Sequence, residues 1–405
     1  ASDRGPLAGI LAAFFSFMFG LRERAPWLWV SPQTGFLYQG VLMFLNALSL
    51  AAVWVWAESW WGRRGAVLSA TVLISSYFFL LNTVFVWPKL FMAYFVLTAL
   101  LFYRNPHQWL LVGVFFGGAL LSHNSAAFYL VPFALLCSVD RYSVLANARE
   151  AGTAARWVFL RPAVACAIGF LVVYAPWAAT KAIFLHSTGL LVHGQLFCNW
   201  TLTDEHRSIV AGFLDYVSTL GPLNIAKIKA KNLLYPITPV PAVEAFAALR
   251  QGEIAELWLR LRYMYFSQVV HALSFPAFFA ALVVALRSYR LRERRPLLFV
   301  CGSAWVVASL VLGCADATVL HHWAYPLILL LAILVGGAEH RLLRAAALAS
   351  VVLNLIVSGF FFLFHAPGFP FIHGRPDWLA AVAAVAVGLA VLLIRAERSG
   401  ESSAA

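Results

Sequence analysis

Long apolar runs recur along almost the whole chain of 405 residues. Most are about 15 to 24 residues long, close to the roughly 20 residues that an α-helix needs to cross a bilayer. The runs are continuous and do not alternate apolar with polar residues, so they do not fit the strands of a membrane barrel. Hydrophobic residues make up 62% of the chain and charged residues 11%, which excludes a soluble or disordered chain. The sequence therefore predicts an all-α, polytopic integral membrane protein.

About eleven runs fit membrane spans, which predicts about 11–12 transmembrane helices with one large external loop. The spans lie at 34–57, 65–84, 86–103, 108–122, 125–139, 160–179, 264–286, 297–313, 319–337, 342–364 and 378–395. A shorter apolar stretch at 6–20 favours an interfacial helix over a crossing. The organisation that we predict is an external N-terminal segment (1–33), N-terminal transmembrane helices (34–180), a large periplasmic loop (181–263), C-terminal transmembrane helices (264–398) and a disordered tail (399–405).

Arginines indicate the orientation of the chain in the membrane. Alternate connections are rich in arginine, whereas the opposite short connections carry only Lys89 and Arg375. By the positive-inside rule the arginine-rich connections and the C-terminus are cytoplasmic, and the large loop is external. The net charge of +12 is spread over loops, so it does not indicate a nucleic-acid partner. The cytoplasmic arginines are Arg63, Arg64, Arg104, Arg141, Arg149, Arg156, Arg161, Arg287, Arg290, Arg292, Arg294, Arg295, Arg341, Arg344, Arg395 and Arg398.

Polar residues that can carry chemistry collect at the predicted outer face. Lys89 lies in the turn VFVWPKL, where the alternative is an interfacial lysine whose ammonium reaches water. His123 lies in the turn LLSHNSAAF, where the alternative is a cap for the next helix, with Asn124 as the N-cap. The adjacent pair His321–His322 would point apart on a helix, which makes a poor metal site. Asp3, Arg4 and Lys181 complete the candidates on this face.

Cys198 and Cys314 both fall on the external side, in an oxidising compartment. A disulfide between them would tie the large loop to the turn after the span 297–313, and two free thiols are the alternative. The five cysteines form no CxxC pair and no zinc spacing. The chain also has no GxGxxG, Walker A or GxSxG motif, so no nucleotide chemistry is indicated.

Three motifs and the large external loop together resemble one family. The motifs are DRGPLAGI (3–10), VWPKL (86–90) and ALLSHNSAAF (119–128). The chain resembles the GT-C superfamily of polytopic glycosyltransferases, in the bacterial branch related to protein mannosyltransferases and aminoarabinose transferases. Gly5 replaces the first proline of that family's D/E-R/K-P-P-L segment. The family's usual first span, and the acidic residue after it that acts as the base, would lie before Ala1.

The resemblance implies transfer of a sugar from a polyprenyl-phosphate donor to an acceptor hydroxyl, with inversion, at the periplasmic face of the bacterial inner membrane. The acceptor is a glycan, a lipid or a protein, and membrane lipids are further partners. Arg4, Lys89, His123 and Lys181 would bind the donor phosphate or substrate, because a phosphate leaving group needs cations. Asp3 would be the catalytic base unless the true base lies upstream. No cofactor is implied, although a divalent metal is possible.

Two other functions fit parts of the pattern. An O-antigen ligase or polymerase-like enzyme also has about twelve spans, a large periplasmic loop and basic residues for a lipid pyrophosphate. A polytopic lipid or solute transporter is the alternative outside enzymes. Acidic residues are nearly absent from the spans, which argues against an ion-coupled pump.

Overall fold

The computed structural model describes residues 7–18, 32–84, 87–147, 153–185, 196–198, 208–237, 240–314 and 322–363. Within these ranges the chain is helical and has no strand, which confirms the all-α prediction. The helices are α1 (Leu7–Met18), α2 (Pro32–Ser75), α3 (Tyr77–Val84), α4 (Lys89–Tyr103), α5 (Trp109–Ser122), α6 (Ala127–Asn147), α7 (Thr153–Thr180), α8 (Ile209–Leu234), α9 (Val240–Gln251), α10 (Ile254–Ser267), α11 (Val269–Ala272), α12 (Phe275–Ser288), α13 (Arg295–Val311), α14 (Tyr325–Val335) and α15 (Arg341–Leu363).

The chain is a polytopic membrane protein, as its sequence predicts. In the described part of the chain, four stretches are long and apolar enough to cross a membrane, or five if α3 and α4 form one bent span. Several shorter apolar helices accompany them, among them α5, α12, α13 and α14. The four stretches are Leu37–Ser75, Leu160–Ile183, Ile209–Ile237 and Arg341–Phe361. The third of these lies inside the segment that we predicted as the external loop.

Helix α2 joins two predicted spans in one element of 44 residues. Its path is interrupted only at Gly62, which has φ 67° and ψ −176°. Glycine adopts this left-handed region without the steric cost that a Cβ would bring. The predicted cytoplasmic turn at Arg63–Arg64 is therefore a sharp break within one helical element.

The predicted span 264–286 is instead broken into pieces of α10, α11 and α12. One break is at Gln268, whose side-chain Nε2 donates to the carbonyl of Tyr235 at 3.1 Å. The other is at Ser274, which has φ 70°. An apolar run predicts the length of a segment in the membrane, and it does not predict where the backbone leaves the helix.

The chain divides into two compact units. The first unit contains residues 1–49, 83–233 and 296–326. In it α5 and α7 cross with their backbones almost touching, because a Cβ on Gly113 would lie 1.9 Å from the carbonyl oxygen of Cys166. Helix α1 packs through Leu7 and Leu11 against a buried cluster from α2 and α4.

The second unit contains residues 50–82, 234–295 and 327–405. Its buried polar centre is Asn354 of α15, whose amide nitrogen lies 3.3 Å from the carbonyl of Val72 and 3.4 Å from that of Leu273. The Asn354 side chain also bonds Ser274. This asparagine therefore satisfies backbone groups at the break between α11 and α12.

Candidate functional site

The turn before α4 is held by a buried asparagine of α2. Asn46 is fully buried, its Nδ2 donates to the carbonyl of Trp87 at 3.1 Å, and its Oδ1 accepts the amide of Phe91 at 3.2 Å. These two bonds fix both sides of Lys89, the first residue of α4. Lys89 is 1% exposed, so its ammonium does not reach out to water as an interfacial lysine would.

Aromatic rings surround the ammonium of Lys89. Its Nζ lies 3.8 Å from the ring centre of Trp87 and 5.4 Å from that of Tyr325. Both distances fall within the range of a cation–π contact. The ammonium also lies at the N-terminus of α4, where the helix dipole adds partial positive charge. Positive charge collects at this point, and such a point stabilises an anion.

His123 takes the capping position in the turn between α5 and α6. Its Nδ1 accepts the amide of Ser125 at 3.2 Å and lies 2.8 Å from the hydroxyl oxygen of that serine. His123 is thereby the N-cap of the short 3₁₀ turn Asn124–Ala126, the role that the sequence suggested for Asn124. The cap uses only the Nδ1 atom of the imidazole, and the Nε2 atom lies on the opposite side of the ring.

His322 meets His123 across a separation of 199 residues in the sequence. Its Nδ1 lies 3.4 Å from Nε2 of His123, and its ring is stacked on Trp87 at 6.1 Å between centres. The hydroxyl of Ser125 donates to the carbonyl of His322 at 2.9 Å. We call Trp87, Lys89, His123, Ser125, His322 and Tyr325 the Lys89 cluster.

The structure therefore brings together two predicted site residues, Lys89 and His123, and adds His322. The sequence did contain a signal for His322, the pair at 321–322, but we read it as a helical pair. His322 instead lies in the turn before α14, and His321 lies outside the described residues. Within the described ranges, no group of three or more His, Cys, Asp or Glu residues is arranged to hold a metal ion.

The remaining predicted site residues are not part of this cluster as described. Lys181 follows α7 and is half-buried, and its side chain makes no hydrogen bond or ion pair with the described residues. Asp3 and Arg4 lie outside the described residues. Their proposed roles stay predictions.

A disulfide joins Cys198 and Cys314, whose Cα atoms are 4.9 Å apart. Of the two alternatives that the sequence left open, the bridge is the one that forms. Two side chains of α8 also bond the backbone next to Cys314. The hydroxyl of Tyr216 donates to the carbonyl of Gly313 at 3.1 Å, and the ammonium of Lys229 donates to the carbonyl of Leu312 at 2.7 Å. The predicted loop is thus tied to the end of α13, a few residues before His322.

No protein-family model and no curated protein matches the chain. Among solved structures, the chain aligns with ArnT from Cupriavidus metallidurans bound to undecaprenyl phosphate, at 12% identity and a TM-score of 0.48, over 97% of this chain and 60% of that one. It aligns with the apo state of the same protein at 14% identity and a TM-score of 0.30, over 83% of this chain and 68% of that one. The chain thus spans 60% of the length of the first structure.

Proposed function

We propose that the chain is a membrane glycosyltransferase that moves a sugar from a polyprenyl-phosphate donor to an acceptor hydroxyl, with inversion, at the periplasmic face of the bacterial inner membrane. The Lys89 cluster is the observation that carries this proposal. It combines a buried ammonium, a helix N-terminus and two imidazoles, which come from three turns that the sequence predicts to be external. The motif resemblance supplies the donor class.

The reaction needs an acceptor oxygen that attacks, a leaving phosphate that is stabilised and a base that takes the acceptor proton. This chain would meet these needs with its own residues. The acceptor oxygen attacks the anomeric carbon, and the bond from that carbon to the phosphate oxygen breaks with its electron pair on the phosphate. Lys89 stabilises the charge on the leaving phosphate, and Arg4 and Lys181 are further cations for the same role. The acceptor proton goes to a carboxylate, and Asp3 is the candidate for this role.

His123 and His322 would together hold the phosphate end of the donor next to Lys89. Nδ1 of His123 accepts the amide of Ser125 and its Nε2 faces Nδ1 of His322, so the pair would offer the N–H at Nε2 of His322 to the phosphate. A ring held in this way needs little reorganisation when the donor binds, and such preorganised donors are effective at developing charge.

The purified chain with a labelled polyprenyl-phosphate sugar tests the proposal. We expect Lys89→Met, which keeps the apolar stem, to lower turnover about 10- to 100-fold, because a charge-assisted contact contributes about 1.5–3 kcal/mol. Lys89→Arg should keep only part of the wild-type activity, since the planar guanidinium group of arginine differs in geometry from the ammonium group of lysine.

Lys231→Met is the matched control, because Lys231 is an exposed lysine of α8. Its turnover should equal that of the wild type. Full activity in Lys89→Met would remove Lys89 from the site. Failure of the wild-type chain to consume the labelled donor would contradict the proposed function itself.

A further inference from the structure

An apolar pocket of about 510 Å³ lies against α8 and the end of α13. Helix α8 bends at Gly221, which has φ 70° and precedes Pro222, so that residues on both sides of the bend line one cavity. Pockets of roughly 300–1,000 Å³ with mostly apolar walls are typical of ligand sites. The lining includes Phe213, Tyr216, Val217, Ile225, Lys229 and Leu310, none of which belongs to the Lys89 cluster.

The first half of α8 presents an apolar stripe that continues into the pocket. Val210, Phe213, Leu214 and Val217 recur at the spacing of one helix face, and they are between 36% and 69% exposed. An exposed apolar face of a membrane protein lies against lipid chains. Three of these four side chains also line the pocket, so a lipid chain reaches it without crossing a polar barrier.

Among the described residues that line the pocket, Lys229 is the one that carries a charge. Its ammonium donates to the carbonyls of Leu312 at 2.7 Å and Val311 at 3.4 Å. Among the described residues no carboxylate pairs with it, so its positive charge is not neutralised by an acid there. An ammonium has three protons, and two are directed at these carbonyls. The third proton and the net charge suit an anionic group at the rim.

We propose that this pocket holds one acyl chain of an anionic phospholipid, with the lipid phosphate at Lys229. The apolar wall matches the chain, and the ammonium matches the headgroup. The site differs from the proposed donor site in its residues, and it does not depend on the proposed function.

Native mass spectrometry of the full chain in detergent tests this proposal, with phosphatidylglycerol and phosphatidylcholine of identical acyl chains as probes. The wild type should bind phosphatidylglycerol about tenfold more tightly than phosphatidylcholine, and Lys229→Gln should remove this preference. Lys231→Gln, two residues further along α8 and exposed, should keep it. Val217→Trp, which fills the cavity, should weaken the binding of both lipids. The intact mass of each variant must show that the Cys198–Cys314 disulfide is present. Its presence indicates that the region around the pocket is folded.

Three results would overturn the proposal. If Lys229→Gln and Lys231→Gln lose the preference for phosphatidylglycerol to the same extent, that preference comes from diffuse surface charge. Unchanged lipid binding in Val217→Trp would place the lipid elsewhere. Displacement of phosphatidylglycerol by polyprenyl phosphate in the wild type and in Lys89→Met alike would make the pocket a donor site instead. Loss of transfer in Lys89→Met with phosphatidylglycerol binding intact separates this site from the proposed function.

Discussion

Ser125 links two parts of the chain that are 197 residues apart in sequence. Its hydroxyl donates to the carbonyl of His322, and the same oxygen lies 2.8 Å from Nδ1 of His123. We expect Ser125→Ala to lower turnover several-fold while the protein stays folded, because a neutral hydrogen bond contributes about 0.5–1.5 kcal/mol. Turnover and thermal unfolding of the same preparation measure the two effects.

Ser138→Ala is the control for that variant. Ser138 is a serine of α6 whose hydroxyl donates only to Ala134 in the preceding turn of its own helix. Its turnover should be unchanged. If Ser125→Ala and Ser138→Ala behave alike, the link between the two histidines has no part in the reaction.

Asp3 is the residue for which a single substitution is most informative. If Asp3 takes the acceptor proton, Asp3→Asn should abolish transfer and leave donor binding intact, since the amide has the same shape and no basic oxygen. A binding assay with labelled donor, run beside the turnover assay, measures both. Turnover at the wild-type level would mean that the base is a residue other than Asp3.

Helix packing offers a sharper prediction at the crossing of α5 and α7. A Cβ on Gly113 would lie 1.9 Å from the carbonyl of Cys166 and 2.7 Å from the amide nitrogen of Phe170. Both atoms are backbone, so Gly113→Ala must push the helices apart. We expect it to destabilise the protein by at least about 1–3 kcal/mol, the usual cost of overpacking. The shift of the thermal unfolding midpoint in detergent measures this.

Gly302→Ala supplies the contrast, because nothing lies within 4 Å of a Cβ at that position of α13. Alanine is the better helix former by about 0.5–1 kcal/mol, so this variant should be as stable as the wild type or more so. If Gly113→Ala is as stable as Gly302→Ala, the crossing is looser than described.

Most helices follow from the apolar runs, and their ends follow less well. The predicted spans 108–122 and 342–364 differ by about one residue from α5 and α15, because a continuous apolar run with polar flanks fixes both ends. The break at Ser274 was not predicted. It depends on a bond to a partner distant in sequence, because the Ser274 side chain bonds Asn354.

The candidate site was predictable to the extent that its residues lie in local motifs. Lys89 and His123 each occupy a polar turn between apolar runs, and such turns are visible in a sequence. Tyr325 and Ser125 carry no such signal, because each matters only through its contact with a residue far along the chain. Tertiary contacts of this kind leave no periodic pattern.

At the scale of the whole molecule, the disulfide constrains how often the chain crosses the membrane. Cys198 and Cys314 are bonded, so an even number of crossings must separate them. If the segments of α12 and α13 each cross once, α8 does not cross, although the stretch Ile209–Ile237 is long and apolar enough to do so. If α8 does cross, only one of the segments 264–286 and 297–313 crosses, and the broken segment 264–286 is the one whose helices are interrupted. These two arrangements place α9 on opposite sides.

A single cysteine at Arg250 distinguishes these arrangements, because this residue is exposed in the last turn of α9. The three free cysteines, Cys137, Cys166 and Cys301, are first replaced by alanine. We expect Arg250→Cys to react with an impermeant maleimide on intact cells stripped of their outer membrane, since the loop 181–263 is predicted to be external. Arg292→Cys, in an arginine-rich connection, should react only after permeabilisation. Protection of both positions would show that α8 crosses the membrane, and the prediction that the whole loop 181–263 is external would then be wrong.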